Sequence, residues 1–454
     1  MGWIYWNHEL ETKPWAEVEA WQAERIAGFV SRLPARSDFY RSHLGAVAVG
    51  AAGIRSLDAL DALPFTAKDQ LRRAQSQSET GRPFGANQAA RLVDIVQAVS
   101  SSGTTGDPMF YALTRRDLDV WSDGIANVFF TCGVRPEDVV AHLVGLPMVA
   151  GGLPYADGFR RIGATLAWFG GFPTERILTA LPRLQVSAIL ATTSFGVYLS
   201  DHCRKLIGCA PSELGVRKFL SGGEPGLGQP EIRGKISAAW GTSHIRECMG
   251  IGDVMSALWG ECEEGSGMHF NAQRSVAVEL IDPATGARIP WRDGAEGEAV
   301  YTTFEREATP ALRYRSADHV VVMSTSCACG RTSPKIRCIG RTDDMLIYKA
   351  MNVFPSAIRD IVLSKFSDVV QPYMRIWKDR VDQVRFDEPI PLEIELRPGI
   401  DSSLLSKIGQ DIEVEVRNRL QVRIRTVLVE PGTIPRSAYK TALVHVRRDQ
   451  TDEM

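Results

Sequence analysis

Residues 100–108 read Ser100-Ser101-Ser102-Gly103-Thr104-Thr105-Gly106-Asp107-Pro108. They follow an apolar run, Leu92-Val93-Asp94-Ile95-Val96-Gln97-Ala98-Val99, whose composition predicts a strand entering a tight loop. Gly103 and Gly106 let the backbone turn sharply and bring N–H groups close to an anion, while the hydroxyls add donors without adding charge. A phosphate cradle has this composition. It is not a Walker loop, because no Gly-Lys-Ser/Thr closes it. Taken alone, the stretch is equally a Ser/Thr-rich turn.

The surrounding chain bounds the choice. Its 454 residues allow two or three domains, and a hydrophobic fraction of 44% supports large cores. A net charge of −2 gives no global field for nucleic acid or an anionic membrane. No apolar run approaches the ~18–20 residues of a membrane span. The opening residues Met1-Gly2-Trp3-Ile4-Tyr5-Trp6 show no signal-peptide pattern, and eight cysteines form no regular framework. Reduced thiols and a cytoplasmic location are expected.

Downstream of Pro14, apolar residues from Trp15 to Leu33 recur at helical spacing, and their aromatics are expected in the core. From Leu92 to about Ile339, short β-rich runs (139–144, 164–168, 188–192) alternate with helical stretches (117–130, 174–184). That alternation predicts parallel sheets covered by helices, with ligands at the carboxyl ends of the strands. The loop at 100–108, the turn at Gly222-Gly223-Glu224 and the turn at Gly250-Ile251-Gly252-Asp253 each follow an apolar run, which predicts a shared rim. After Gly340 the pattern changes to a small α+β unit. The expected architecture is therefore α/β: a large N-terminal domain of helix-covered sheets at 1–340, and a small α+β C-terminal domain at 341–454.

Six pieces in order carry a resemblance. They are Tyr5-Trp6-Asn7 through Glu11-Thr12, the 100–108 loop, and Ser221-Gly222-Gly223-Glu224-Pro225. Then come Arg313-Tyr314-Arg315-Ser316-Ala317-Asp318, Gly340-Arg341-Thr342-Asp343-Asp344 with Asn352-Val353-Phe354-Pro355, and Pro435-Arg436-Ser437-Ala438-Tyr439-Lys440. Together the chain resembles the adenylate-forming superfamily, in particular its phenylacetate-CoA ligase branch.

The resemblance implies an enzyme, an AMP-forming aromatic carboxylate:CoA ligase acting on phenylacetate or a substituted benzoate such as anthranilate. Its substrates are the aromatic acid, ATP and CoA, with Mg²⁺ as cofactor. An acyl-adenylate forms first and a thioester second, and the chemistry is positioning plus charge stabilisation. It implies that Ser101, Ser102, Gly103, Thr104, Thr105 and Gly106 hold ATP phosphates. Gly222, Gly223, Glu224 and Pro225 wall the adenine opposite Met249, which stands where the family places Tyr. Gly250 shapes the turn that presents Asp253, in place of the family's Glu, to Mg²⁺; Asp253 is otherwise a helix N-cap. Asp318 binds the ribose, and Arg341 belongs to the same ATP site. Lys440 stabilises the developing adenylate, although Tyr439 replaces the usual preceding Gly. Asp343 is the hinge on which the C-terminal domain moves, and Ala350 stands for a Gly along the pantetheine path. The acyl pocket falls on Leu146, Met148, Val149, Gly151 and Gly152. Trp168 and Phe169 either support its wall or belong to the core.

Cys327-Ala328-Cys329 places two thiols within reach of one ion, and Cys262 with His269 supplies two more donors. A Cys₃His set is a tetrahedral zinc set, closed and therefore structural; buried free thiols are the alternative. Related ligase-like proteins with Cys and His at these positions imply Zn²⁺, with Cys338 near enough to substitute. Two rivals remain: an adenylating enzyme that loads a carrier-protein thiol, and a nucleotide-binding protein without turnover. A carrier protein and a second copy of the chain are the candidate macromolecular partners. Nucleic acid and membrane are not expected.

Overall fold

The computed structural model describes the chain except residues 1–3, 46, 48–52, 77–80, 101–108, 145–147, 224–226, 343, 350, 381–382, 436–442 and 448–454. Helices α1 (His8–Thr12), α2 (Trp15–Arg36), α3 (Asp38–Leu44) and α4 (Lys68–Ser76) precede a hairpin of β1 (Ile95–Ser100) and β2 (Phe110–Thr114). On α2, Ala23, Ile26, Val30 and Leu33 form one apolar stripe, which packs on Ala277, Phe304 and Leu312.

An eleven-stranded sheet follows. Its first half comprises β3 (Val139–His142), β4 (Thr165–Trp168), β5 (Ala188–Ala191), β6 (Lys218–Ser221) and β7 (His244–Ile251), paired in parallel in the order β4-β3-β5-β6-β7. Helices α5 (Arg115–Thr131) and α6 (Leu153–Ile162) cover one face; α7 (Thr174–Arg183), α8 (Thr193–Ile207) and α9 (Pro230–Trp240) cover the other. Strand periodicity decides which residue meets which layer. Ala188 and Leu190 of β5 join the α5–α6 core, whereas Ile189 and Ala191 join Leu178, Leu199 and Ile236.

The parallel expectation holds only for this half. Beyond β7 the sheet continues antiparallel through β8 (Met255–Glu261), β9 (Met268–Phe270), β13 (Lys335–Arg341), β12 (Tyr314–Ser324), β11 (Glu296–Thr303) and β10 (Val276–Ile281). Short turns join several of these strands, and the helical crossovers that parallel pairing requires are absent from the sequence between them. The strand at 92–99 also begins late: Leu92–Asp94 is a 3₁₀ turn, and β1 forms its ladder with β2 rather than with the eleven-stranded sheet.

In the C-terminal part, α10 (Pro355–Phe366) and α11 (Leu405–Leu420) accompany two small sheets. One contains β14 (Leu346–Tyr348), β15 (Met351–Val353) and β17 (Arg385–Phe386). The other contains β16 (Val370–Lys378), β18 (Ile390–Leu396), β19 (Ile424–Val429) and β20 (Val444–Val446). Ile358, Val362, Ile376, Ile394, Ile412 and Val416 form their own core. Arg397–Asp201 at 2.9 Å links this unit to α8. Among the described residues, no helix is long and apolar enough to cross a membrane.

Candidate active site

Three of the predicted segments meet. Ser100, the last residue of β1, donates its N–H to the Met148 carbonyl at 2.8 Å, and its own carbonyl accepts from Ala150 N–H at 3.2 Å. A Cβ on Gly252 would lie 2.8 Å from Ala150 Cβ. The start of the 100–108 loop, the 148–150 segment and the 250–253 turn are thus in contact although about 150 residues separate the first from the last. Ser101, Ser102, Gly103, Thr104, Thr105, Gly106, Leu146, Glu224, Pro225, Asp343 and Lys440 lie outside the described residues.

Asp253 is buried at the centre of this meeting point. Its Oδ1 accepts from the Tyr111 hydroxyl and, at 2.5 Å, from the Tyr314 hydroxyl. Lys68 Nζ stands 3.6 Å from the same oxygen. Burial pushes the pKa of both tyrosines well above 10, so both hydroxyls stay protonated donors. All three contacts fall on Oδ1, which leaves Oδ2 outside this set. Arg306 fixes the turn from behind, donating to the carbonyls of Asp253 at 3.1 Å and Val254 at 2.9 Å. Lys68 was not a sequence candidate, for it is one lysine in a polar helix. It reaches Asp253 because Thr66 pairs along the start of β12: Thr66 N donates to Arg313 O at 3.0 Å, and Arg315 N donates to Thr66 O at 2.9 Å.

The 313–318 stretch divides by role. Arg313 is buried and structural, giving Nη2 to Glu279 Oε1 at 2.8 Å and to Asp61 at 2.9 Å, and Nη1 to Leu63 O at 2.9 Å. Arg315 pairs with Glu298. Asp318 faces Arg341 in the β12–β13 register, and Arg341 Nη1 donates to its Oδ1 at 3.2 Å. The backbone twists just before it, with Ala317 at φ +62°, and Thr342 N bonds Ala317 O at 2.6 Å.

Glycines shape the remaining walls. A Cβ on Gly222 would meet Cys248 O at 2.7 Å, so β6 can end flush against β7 only without a side chain. Gly223 has φ +86°. At Gly250 an added Cβ would lie 1.9 Å from Ser256 O, across the β7–β8 turn. Met249 is half-buried on β7 and pairs with Trp259. In the 148–152 segment Val149 bridges to Ser100, Met148 is exposed, and the buried Gly151 and Gly152 lead into α6.

Residues 350–448 match the family of AMP-binding enzyme C-terminal domains. A phenylacetate-coenzyme A ligase of Thermus thermophilus is 30% identical over 456 residues, spanning 96% of this chain and 97% of that enzyme. The chain belongs to the phenylacetate-CoA ligase family. It is an AMP-forming acid–thiol ligase of the adenylate-forming superfamily. The phenylacetate-coenzyme A ligase of Escherichia coli K12 is 29% identical over 442 residues, 96% of each chain. A 2-hydroxyisobutyryl-CoA ligase in its postadenylation state shares the fold: TM-score 0.86 at 24% identity, over 98% of this chain and 93% of that one.

This phenylacetate-CoA ligase family member carries a second constellation away from the Asp253 turn. Cys262, His269, Cys327 and Cys329 place one ligand atom each within 4.8 Å of all the others. Cys262 Sγ and Cys327 Sγ are 3.8 Å apart, and Cys329 Sγ is 3.4 Å from His269 Nε2. His269 Nδ1 donates to Ser333 O at 3.0 Å, which aims Nε2 inward. Cys338 does not join; its thiol turns to Gly340 O at 3.6 Å. The loop that bears Cys327 and Cys329 also holds the N-terminal arm. Tyr5 Oη donates to Cys329 O at 2.8 Å, and Arg331 pairs with buried Glu11 at 2.8 Å.

Proposed function

We propose that this ligase activates an aromatic carboxylate with ATP and transfers the acyl group to CoA. The carboxylate oxygen attacks the α-phosphorus and pyrophosphate leaves; the CoA thiolate then attacks the acyl carbon and AMP leaves. The observation that carries the reading is the contact of Ser100 with the acyl loop and of that loop with Gly252. An acid held at 148–152 would lie beside phosphates held at 101–106.

Asp318 accepts the ribose hydroxyls while Arg341 steadies its second side, and Gly222, Gly223, Glu224 and Pro225 with Met249 bound the adenine. Mg²⁺, when bound, neutralises phosphate charge, and Asp253 Oδ2 is the oxygen free of the tyrosine and lysine contacts to meet it. Lys68 adds a cation at the same turn. Lys440 supplies positive charge to the developing adenylate, and the unit from 341 onward turns about Asp343 to clear the way for CoA. Its separate core supports that motion.

The cysteine cluster fits a structural Zn²⁺. A tetrahedral ion with Zn–S of about 2.3 Å sets its sulfurs about 3.8 Å apart, and the Cys262–Cys327 separation is 3.8 Å. Bound there, it would clip the arm at residues 4–13 to the antiparallel sheet.

Acid-dependent ATP–pyrophosphate exchange tests the first half-reaction, and thioester formation with CoA against a holo-carrier tests the second. Lys440→Ala is expected to abolish exchange while sparing thioester formation from a preformed acyl-adenylate; equal loss of both would remove Lys440 from this role. Cys327→Ser and Cys329→Ser are each expected to lower both zinc content and melting temperature. Protein purified without near-stoichiometric zinc would dissociate the cluster from metal.

A further inference from the structure

The two parts of the chain meet along a seam where α8 and α9 of the parallel half face α10 and β16 of the C-terminal part. A cavity of about 510 Å³ runs between these elements, walled by Val197, Ile232, Ile236, Leu363 and Val370. Leu363 on α10 packs against the apolar clusters of both parts. Polar contacts cross the seam as well. Asp201 Oδ2 lies 2.9 Å from Arg397 Nη1, Lys235 Nζ lies 3.7 Å from Asp368, and Gln229 Nε2 donates to Asp360 Oδ2 at 3.4 Å. These contacts are unequal. Lys235 and Asp368 are exposed, and 3.4 Å is long for a hydrogen bond. Arg397, by contrast, is aimed from within its own part of the chain. Its Nε donates to Ser367 O at 2.6 Å and its backbone N–H to Val369 O at 3.0 Å. Among the described residues, Asp201 pairs with no other side chain.

A permanent core is close-packed. This seam instead combines an unfilled cavity with one well-aimed ion pair, the make-up of an interface that opens. One 2-hydroxyisobutyryl-CoA ligase superposes on the chain with TM-score 0.86 in its postadenylation state, at 24% identity, and with 0.70 in its thioesterification state, at 25%. The two parts of this chain thus stand as they do in the former. We propose that Asp201 and Arg397 form a latch that holds the C-terminal part in the arrangement of the first half-reaction, and that breaking it precedes thioester formation. The proposal rests on the two-step reading above: that reading puts the pivot at Asp343, and the latch is what resists the turn. Both are positioning residues, acting through where the C-terminal part stands. An ion pair of this exposure shifts an equilibrium by a few-fold, so its loss tilts the balance between the two steps without abolishing either.

The test measures ATP–pyrophosphate exchange and thioester formation from the preformed acyl-adenylate, with phenylacetate and anthranilate as the acids, beside small-angle X-ray scattering of the free enzyme. Asp201→Asn keeps the shape of the side chain and removes its charge. Thioester formation relative to exchange should rise at least about threefold, with little change in melting temperature. Asp201→Arg sets two cations against each other; it should raise the ratio further and shift the scattering towards a more extended particle. Adding Arg397→Asp to that variant re-forms the pair with its charges exchanged, and both readouts should return most of the way to wild type. A ratio unchanged in both single variants, equal loss of the two half-reactions, or a double variant no nearer wild type than Asp201→Arg overturns the latch. Absence of exchange with every aryl acid would instead overturn the aromatic acid ligase reading, and the scattering alone would then judge the latch.

Discussion

The two halves of the eleven-stranded sheet build their share of the site from different materials. In the parallel half, the candidate site groups follow strand ends and are mostly backbone: Gly151-Gly152 after β3, and Gly222-Gly223 after β6. In the antiparallel half they are side chains on strands or at the turn between them, namely Asp253, Tyr314, Asp318 and Arg341. A backbone wall is vulnerable to an added methyl. A side-chain constellation is vulnerable to loss of a charge, because Asp253 is buried among its donors and Asp318 is paired with Arg341.

The largest effect is expected where a buried charge is left behind. Arg313→Met should destabilise the enzyme by about 3 kcal/mol. Glu279 would keep only Arg288, at 2.9 Å, so the carboxylate would stay underpaired. Urea unfolding measures this, and a change below about 1 kcal/mol would mean that Arg313 is not the structural knot described. Next in size is Asp318→Asn. It should raise KM for ATP tenfold to a hundredfold, corresponding to the ~1.5–3 kcal/mol of hydrogen bonds to a charged group, with little change in melting temperature. An unaltered KM would move ribose recognition elsewhere.

On the parallel side the expected failure is steric. Gly222→Ala forces a Cβ to 2.7 Å from the Cys248 carbonyl and should cost about 2 kcal/mol by overpacking. ATP affinity should weaken with it, because β6 can no longer end flush with β7. A variant of wild-type stability would show that the turn relaxes freely. The smallest effect concerns Glu247, half-buried on β7 where the two halves join. Burial first and neighbouring Glu261 second raise its pKa from 4.5 to about 7, against the opposing charges of Arg233 and Arg337; Asp360 adds to the rise. Between pH ~4.5 and ~7 the folded state therefore holds more protons than the unfolded state. Stability should decline across that window by about 1 kcal/mol and then level off. Glu247→Gln should reduce the decline, to which the raised carboxyls of Glu11, Glu19 and Glu279 also contribute. An identical pH profile in the variant would exclude Glu247 as its source.

The candidate site was nominated from short motifs, because a Gly- and hydroxyl-rich loop or a strand that ends in a glycine turn is a local pattern. The 100–108 loop, the 222–225 turn, the Asp318 stretch and the donor types at 262, 269, 327 and 329 needed only neighbouring residues to stand out. Their order along the chain also pointed to the family. Helices were legible for the same reason: the 117–130 stretch lies within α5, and the 174–184 stretch matches α7 to within one residue. Lys68 was not legible, since nothing in α4 distinguishes it. Arg313 and Asp318 share a motif, yet one locks the core and the other borders the site.

Length, composition and local spacing by themselves determined the fold class, the sequence of motifs and the kinds of groups available. Only the tertiary structure decided that the second half of the sheet is antiparallel, that Thr66 docks on β12 and brings Lys68 to Asp253, and that Cys262 meets Cys327 across 65 residues. The physical reason is that periodicity and turn chemistry report the preferences of consecutive residues. Strand pairing and charge pairing are set by which buried surfaces exclude water together, and those surfaces come from distant parts of the chain.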